Sequence, residues 1–217
     1  MKFPNGLSVL IYPTLVKKMF FFQLVVKAGV LQQKKEHIGY AHFFEHLMSF
    51  YPSEKYPDSL ANQNKINELG IEMNAWTDDD NCGYYMCGLE DHKEFMLDLL
   101  FNALYKPLWK SNNTKPLSEV FEQERGAVLR ELSKYIDDPW YSMNTQMAEV
   151  LYNKTNMACS VKEELLNVKN PKKLNMKTFS DFYNEFYKPE FMTLSIVTSE
   201  SPNKTLRQLQ TKYFDYL

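Results

Sequence analysis

Apolar and polar positions along the chain follow two rhythms, and the switches between them mark out its elements. Residues 7–12 alternate apolar and polar side chains, the period of a half-buried strand. Residues 19–28 form a near-continuous aromatic and β-branched run, the pattern of a more deeply buried strand, and Pro13 separates the two. After Gly39 the period lengthens: Tyr40, Phe43, Phe44, Leu47 and Phe50 recur at spacings of three and four, which predicts a helix closed by Pro52. Asp58 or Ser59 can cap a second helix that runs to Leu69, where Gly70 supplies the stop. Residues 71–77 and 81–87 read as the two strands of a hairpin turned at Asp78-Asp79-Asp80.

Further along, Phe95, Met96, Leu99, Leu100 and Ala103 mark a helix over 91–105, ended by Pro107. The polar stretch 111–116 reads as a loop. Beyond it Ser118 can cap a long helix carrying Val120, Phe121, Ala127, Val128, Leu129 and Leu132 together with a dense set of glutamates. More helices are predicted at 139–152, 160–168 and 175–187, the middle one opened by the capping box Ser160-Val161-Lys162-Glu163. Residues 191–198 form a final strand, and Ser201-Pro202 has the cap-then-proline order that starts a helix. Strands and helices in mixed order predict an α+β fold, a mixed, largely antiparallel sheet packed with helices. Apolar residues make up 44% of the chain and no linker interrupts them, so the expectation is one domain over 1–217.

Charge and composition exclude several partners. Basic and acidic residues, 25 and 27 of them, are mixed along the chain for a net charge of −2, which leaves no footprint for nucleic acid or an anionic membrane. The apolar run 19–26 is too short to span a bilayer, and the amino terminus lacks the apolar core of a signal peptide. The expected location is cytoplasmic. None of the 7 glycines falls in a dinucleotide or phosphate-loop pattern. Cys82, Cys87 and Cys159 are too few for a disulfide framework; the first two, five apart on one strand, point to opposite faces and cannot jointly hold a metal. All three read as buried or idle thiols. His37 and His92 lie among charged residues and read as surface histidines.

The chemistry concentrates in His42-Phe43-Phe44-Glu45-His46. Two imidazoles four residues apart share one helical face and can reach one ion, while Glu45 hangs beside that ion without being forced to bind it. Zinc with three protein ligands keeps a position for water, and a neighbouring carboxylate can take that water's proton. The bland alternative is a helix with two histidines and a solvated glutamate; a chance match is expected on the order of once in a few hundred chains of this size.

Context strengthens the motif. The string Gly39-Tyr40-Ala41-His42-Phe43-Phe44-Glu45-His46-Leu47-Met48 resembles the M16 peptidase family. So do Asn5-Gly6-Leu7, Lys27-Ala28-Gly29, Asn74-Ala75-Trp76-Thr77 with Tyr84-Tyr85, the segment from Glu122 to Glu131, and Phe182-Tyr183-Asn184-Glu185-Phe186-Tyr187-Lys188-Pro189. The resemblance implies a LuxS/MPP-like metallohydrolase domain and zinc-dependent endopeptidase activity on short, flexible peptides. It makes His42 and His46 ligands of one zinc ion, Glu45 the general base, Glu131 the third ligand and Glu124 a supporting carboxylate. It also makes Asn74, Ala75 and Trp76 the edge on which substrate aligns as an added strand. Between His46 and Glu131 lie 84 residues, and 77 between His46 and Glu124; counting alone favours Glu124, as the family's interval is shorter. The local string Glu-Arg-Gly-x-Val-Leu-x-Glu favours Glu131, with the extra residues placed in the turn-rich stretch 110–118.

The family is usually built from paired domains that close around the peptide, and this chain resembles only the first of them. Such a chain is expected to self-associate, to recruit a separate second-half subunit, or to be a fragment; the expected partners are a peptide substrate and a second M16-type domain or subunit, a distinct one rather than a second copy. The competing expectation is a non-catalytic peptide-binding or scaffolding subunit of such a complex, against which stands the presence of the whole metal and base set.

Overall fold

The computed structural model describes residues 1–50, 52–108, 115–153, 155, 158 and 161–213, with the side chains at 49–50 and 115–118 outside that description. Among the described residues, β1 (Ser8–Pro13), β2 (Met19–Val26), β3 (Glu72–Thr77), β4 (Cys82–Leu89) and β5 (Met192–Thr198) form one sheet in the order β1-β5-β2-β4-β3. β1 and β5 run parallel; the other three pairings are antiparallel. The helices are α1 (Tyr40–Phe50), α2 (Ser59–Glu68), α3 (Lys93–Tyr105), α4 (Lys115–Ile136), α5 (Pro139–Leu151), α6 (Val161–Lys169), α7 (Met176–Phe186) and α8 (Pro202–Lys212). The α+β fold with a mixed, largely antiparallel sheet is thus present, and no described helix is long and apolar enough to cross a membrane.

The central strand explains the core. β2 sends Phe20, Phe22, Leu24 and Val26 to one face, all buried, and its half-buried Phe21, Gln23 and Val25 to the other. Cross-strand register puts Tyr84 and Met86 of β4, and Leu194 and Ile196 of β5, on the buried face beside Leu24 and Phe22. α1 presses Phe43 and Phe44 into the same core. The Phe44 ring lies 4.3 Å from Phe179 of α7 and 4.2 Å from Tyr187, and Phe43 lies 4.8 Å from Phe121 of α4. Burying each such ring stabilises the fold by roughly 1.5–3 kcal/mol, and it fixes the rotation of α1 about its axis.

Several local signals act as their residue types dictate. Asp58 caps α2 by accepting from the Ala61 N–H at 3.0 Å, Gly70 takes the left-handed φ of +63° just past its end, and Ser201 caps α8 with Pro202 in its first turn. α4 departs from expectation: it begins at Lys115, so Ser118 lies within the helix rather than at its start. Pro116, read as a loop residue, sits in the first turn, where a fixed φ and a missing N–H are tolerated. The loop residues 111–114, Cys159 and Ser160 of the expected capping box lie outside the described residues, as does the side chain of Phe50.

Candidate metal centre

With Ala41, Phe43, Phe44 and Leu47 buried, the polar stripe of α1 consists, among the described side chains, of His42, Glu45 and His46. α4 packs against α1 and buries Phe121, Val128 and Leu132, which brings Glu124 and Glu131, two turns apart, alongside that stripe. The Nε2 atoms of His42 and His46 stand 3.6 and 3.2 Å from Glu131 Oε2. Ligand atoms of these three residues all lie within 4.8 Å of one another, and among the described residues no other group of three His, Cys, Asp or Glu converges in this way. Tetrahedral zinc with bonds of about 2.0–2.1 Å holds neighbouring ligand atoms about 3.3 Å apart. The donor set of two imidazoles and one carboxylate therefore fits a zinc ion in chemistry and in spacing.

The other ring nitrogens also meet carboxylates. His42 Nδ1 is 2.6 Å from Glu164 Oε1 on α6, and His46 Nδ1 is 3.5 Å from Glu124 Oε2. Tyr135 donates to the second oxygen of Glu131 at 3.2 Å. Burial disfavours a charged His42, but hydrogen bonds with Glu131 and Glu164 prevail and raise its pKa to about 10. The same contact with His42 lowers Glu131 to about 2. Four carboxylates, Glu45, Glu124, Glu131 and Glu164, thus lie about two imidazoles, an arrangement that favours positive charge at the centre.

The stripe opens on a cleft of about 640 Å³, walled on one side by β3 residues 73–77 and on the other by Glu131, Tyr135, Tyr141 and Glu164. β3 is the sheet's edge strand, so one row of its backbone groups has no strand neighbour among the described residues. Asn74 is exposed, while Ala75 and Trp76 are half-buried. The Trp76 indole lies across β4 at Gly83, where a Cβ would come within 2.0 Å of its ring, and its Nε1 donates to Asn81 at 3.2 Å. Thr77 ends the strand and donates from Oγ1 to Glu45 Oε2 at 2.9 Å.

The structure therefore brings His42, His46, Glu45, Glu124 and Glu131 to one point, with Asn74, Ala75 and Trp76 along the cleft wall. Sequence reasoning did not single out Glu164, the Thr77 hydroxyl or Tyr135. Tyr135 carried a usable signal, one helical turn beyond Glu131; Glu164 carried none, since its partner is 122 residues away. Cys82 is buried beside Thr77, its thiol pushed up to about 12 by burial, and Cys87 faces the other way. His37 and His92 are both half-buried rather than fully at the surface, the His37 ring stacked 4.7 Å from Tyr40.

Comparison with known proteins gives the family and the fold. The sequence model of insulinase, peptidase family M16, matches residues 14–158, and the chain belongs to that family. It is similar to the probable zinc protease PqqL of Haemophilus influenzae, 27% identical over 96% of this chain and 22% of that protein. It is also similar to the mitochondrial-processing peptidase subunit beta of Dictyostelium discoideum, 25% identical over 87% of this chain and 38% of the relative. Among solved structures, pitrilysin shares the fold with a TM-score of 0.79 at 22% identity, over 97% of this chain and 22% of its own. A protease from Helicobacter pylori does so with a TM-score of 0.85 at 20% identity, over all of this chain and 50% of its own. The chain thus spans between about a fifth and a half of the length of these relatives.

Proposed function

We propose that this chain is a zinc-dependent endopeptidase domain acting on short, flexible peptides. The convergence of both Nε2 atoms on Glu131 Oε2, with Glu45 on the same stripe, carries the reading. In it His42, His46 and Glu131 hold one zinc ion, which supplies the Lewis acidity that polarises water and the peptide carbonyl. Glu45 accepts the water's proton and returns it to the leaving amine. Thr77 fixes one oxygen of that carboxylate, and Glu124 stands behind the His46 ring. Asn74, Ala75 and Trp76 align the peptide on the edge of β3 through backbone hydrogen bonds, which make few demands on its side chains.

The reading extends to assembly. The cleft has an edge strand and a candidate metal site but is open to solvent, and hydrolysis gains from an opposing wall that holds the peptide and excludes water. We place that wall in a further M16-type domain, supplied by a distinct subunit rather than a second copy of this chain. The similarity to a relative named as a subunit supports this.

The deciding experiment is Glu45→Gln. It should leave zinc content unchanged and reduce peptide turnover by about 100-fold or more, the usual contribution of a positioned general base. Retained turnover removes Glu45 from the role. Peptide binding without cleavage by the unsubstituted, zinc-loaded complex would instead assign the chain to the non-catalytic, peptide-binding class of subunit.

A further inference from the structure

Glu164 lies on α6, beyond the residues 14–158 that match the family, yet it makes the shortest contact to either histidine of the stripe. We propose that Glu164 is a positioning residue for the metal centre: it accepts the Nδ1–H of His42 and holds the ring with Nε2 turned toward Glu131. This rests on the reading of His42, His46 and Glu131 as zinc ligands.

A carboxylate can only accept, so at 2.6 Å the proton belongs on His42 Nδ1, and Nε2 is the nitrogen that faces Glu131. A ligating imidazole needs such a partner, because the ring's terminal torsion is broad and without a hydrogen bond its nitrogens are free to swing off the ligand position. The two histidines are not equally served, since Glu124 stands 3.5 Å from the corresponding atom of His46.

The fold holds Glu164 in place from two sides. Asn167, one turn along α6, donates to the Ile38 carbonyl at 3.0 Å, two residues before α1 begins. Arg125 of α4 donates to the Val168 carbonyl. Between them sits Gly39, whose φ is +96° and where a Cβ would come within 2.6 Å of Glu164 Cγ. Gly39 is thus the close-approach position that lets the Glu164 stem reach past the start of α1. Glu163, its sequence neighbour, points elsewhere, toward Lys35 at 3.8 Å.

The test compares Glu164→Ala, Glu164→Gln and Glu163→Ala in the full chain, reading zinc affinity by competition with a chromophoric chelator. It also reads the downfield proton resonance of the His42 Nδ1–H in the zinc-loaded protein. Glu164→Ala should weaken zinc binding about 10- to 100-fold, the range for loss of such a partner, and abolish that resonance. Glu163→Ala should change neither. Glu164→Gln keeps the shape of the side chain and so serves if the alanine variant does not fold; it should move the resonance upfield and weaken zinc less. Unchanged affinity and an unmoved resonance in both Glu164 variants would overturn the proposal while leaving the ligand set intact. Failure of the unsubstituted chain to take up zinc would overturn the ligand set, and this inference with it.

Discussion

The Thr77 hydroxyl donates a 2.9 Å hydrogen bond to Glu45 Oε2, joining the last residue of the edge strand to the polar stripe of α1. A peptide added to β3 would therefore stiffen the strand that also orients the proposed base. Thr77→Val, which keeps the volume but removes the donor, should lower kcat about ten-fold, the lower end of what one hydrogen bond to a charged group contributes. Thr77→Ser should restore most of it. Steady-state cleavage of a fluorogenic peptide, with zinc content measured in parallel, checks this; equal kcat for threonine and valine would show that the contact does not orient Glu45.

Glu131 and Glu124 compete for the same role by sequence, and their geometry separates them. Glu131 Oε2 faces both Nε2 atoms, whereas Glu124 faces the outer nitrogen of His46 alone. Glu124→Gln should weaken zinc binding by about 10-fold or less, the low end for loss of an outer partner because its contact is the longer one, and Glu131→Gln should weaken it further. Chelator competition ranks the two. The reverse order would exchange their assignments.

How much of this was legible in the sequence depended on the range of each interaction. The stripe of α1 could be read because His42, Glu45 and His46 sit within one helical turn and the apolar pattern of Tyr40, Phe43, Phe44 and Leu47 set the helix's phase. The hairpin of β3 and β4 was readable for the same reason. Periodicity reports which face of a strand is buried but not which strand lies beside it, so the insertion of β5 between β1 and β2 was not foreseeable. Lys115 and Pro116 misled because proline and polar residues signal both loops and the first turn of a helix, and α4 begins at Lys115. Glu164 had no local signature, since its meaning comes from a contact with His42 across the fold.

Arg125 is the clamp that ties α4 to the chain following it. Its guanidinium is buried, donates to the Val168 carbonyl and, at 2.8 Å, to the Leu174 carbonyl, and pairs with Glu122 at 2.9 Å. A lysine has the charge but not the planar fork, so it cannot serve both carbonyls and the carboxylate together. Arg125→Lys should cost about 2–4 kcal/mol by stranding buried acceptors. Urea unfolding of the two proteins measures the difference, and a midpoint equal to the unsubstituted chain's would contradict the clamp.

Asp98 of α3 gives the fold an acid-sensitive joint. Its side chain is 9% exposed, meets the Lys55 ammonium, accepts from Tyr213 Oη at 2.6 Å and faces Lys212 Nζ at 3.6 Å. Burial favours the neutral acid, but the hydrogen bonds from Lys55 and Tyr213 and the charge of Lys212 outweigh it and hold the carboxyl below its ordinary value of 3.8. A depressed folded-state pKa means the unfolded chain binds the proton first as pH falls. The stabilisation is therefore fully present above about 3.8, the unfolded value, and is lost as pH drops toward and through the lower folded one. Asp98→Asn should lower the melting temperature at pH 7, and the gap to the unsubstituted chain should narrow at about pH 3, where Asp98 of the unfolded chain is mostly protonated and the charge contributes less. Thermal melts at the two pH values decide it: a gap of equal size at both would mean that Asp98 contributes through packing and neutral hydrogen bonds rather than through its charge.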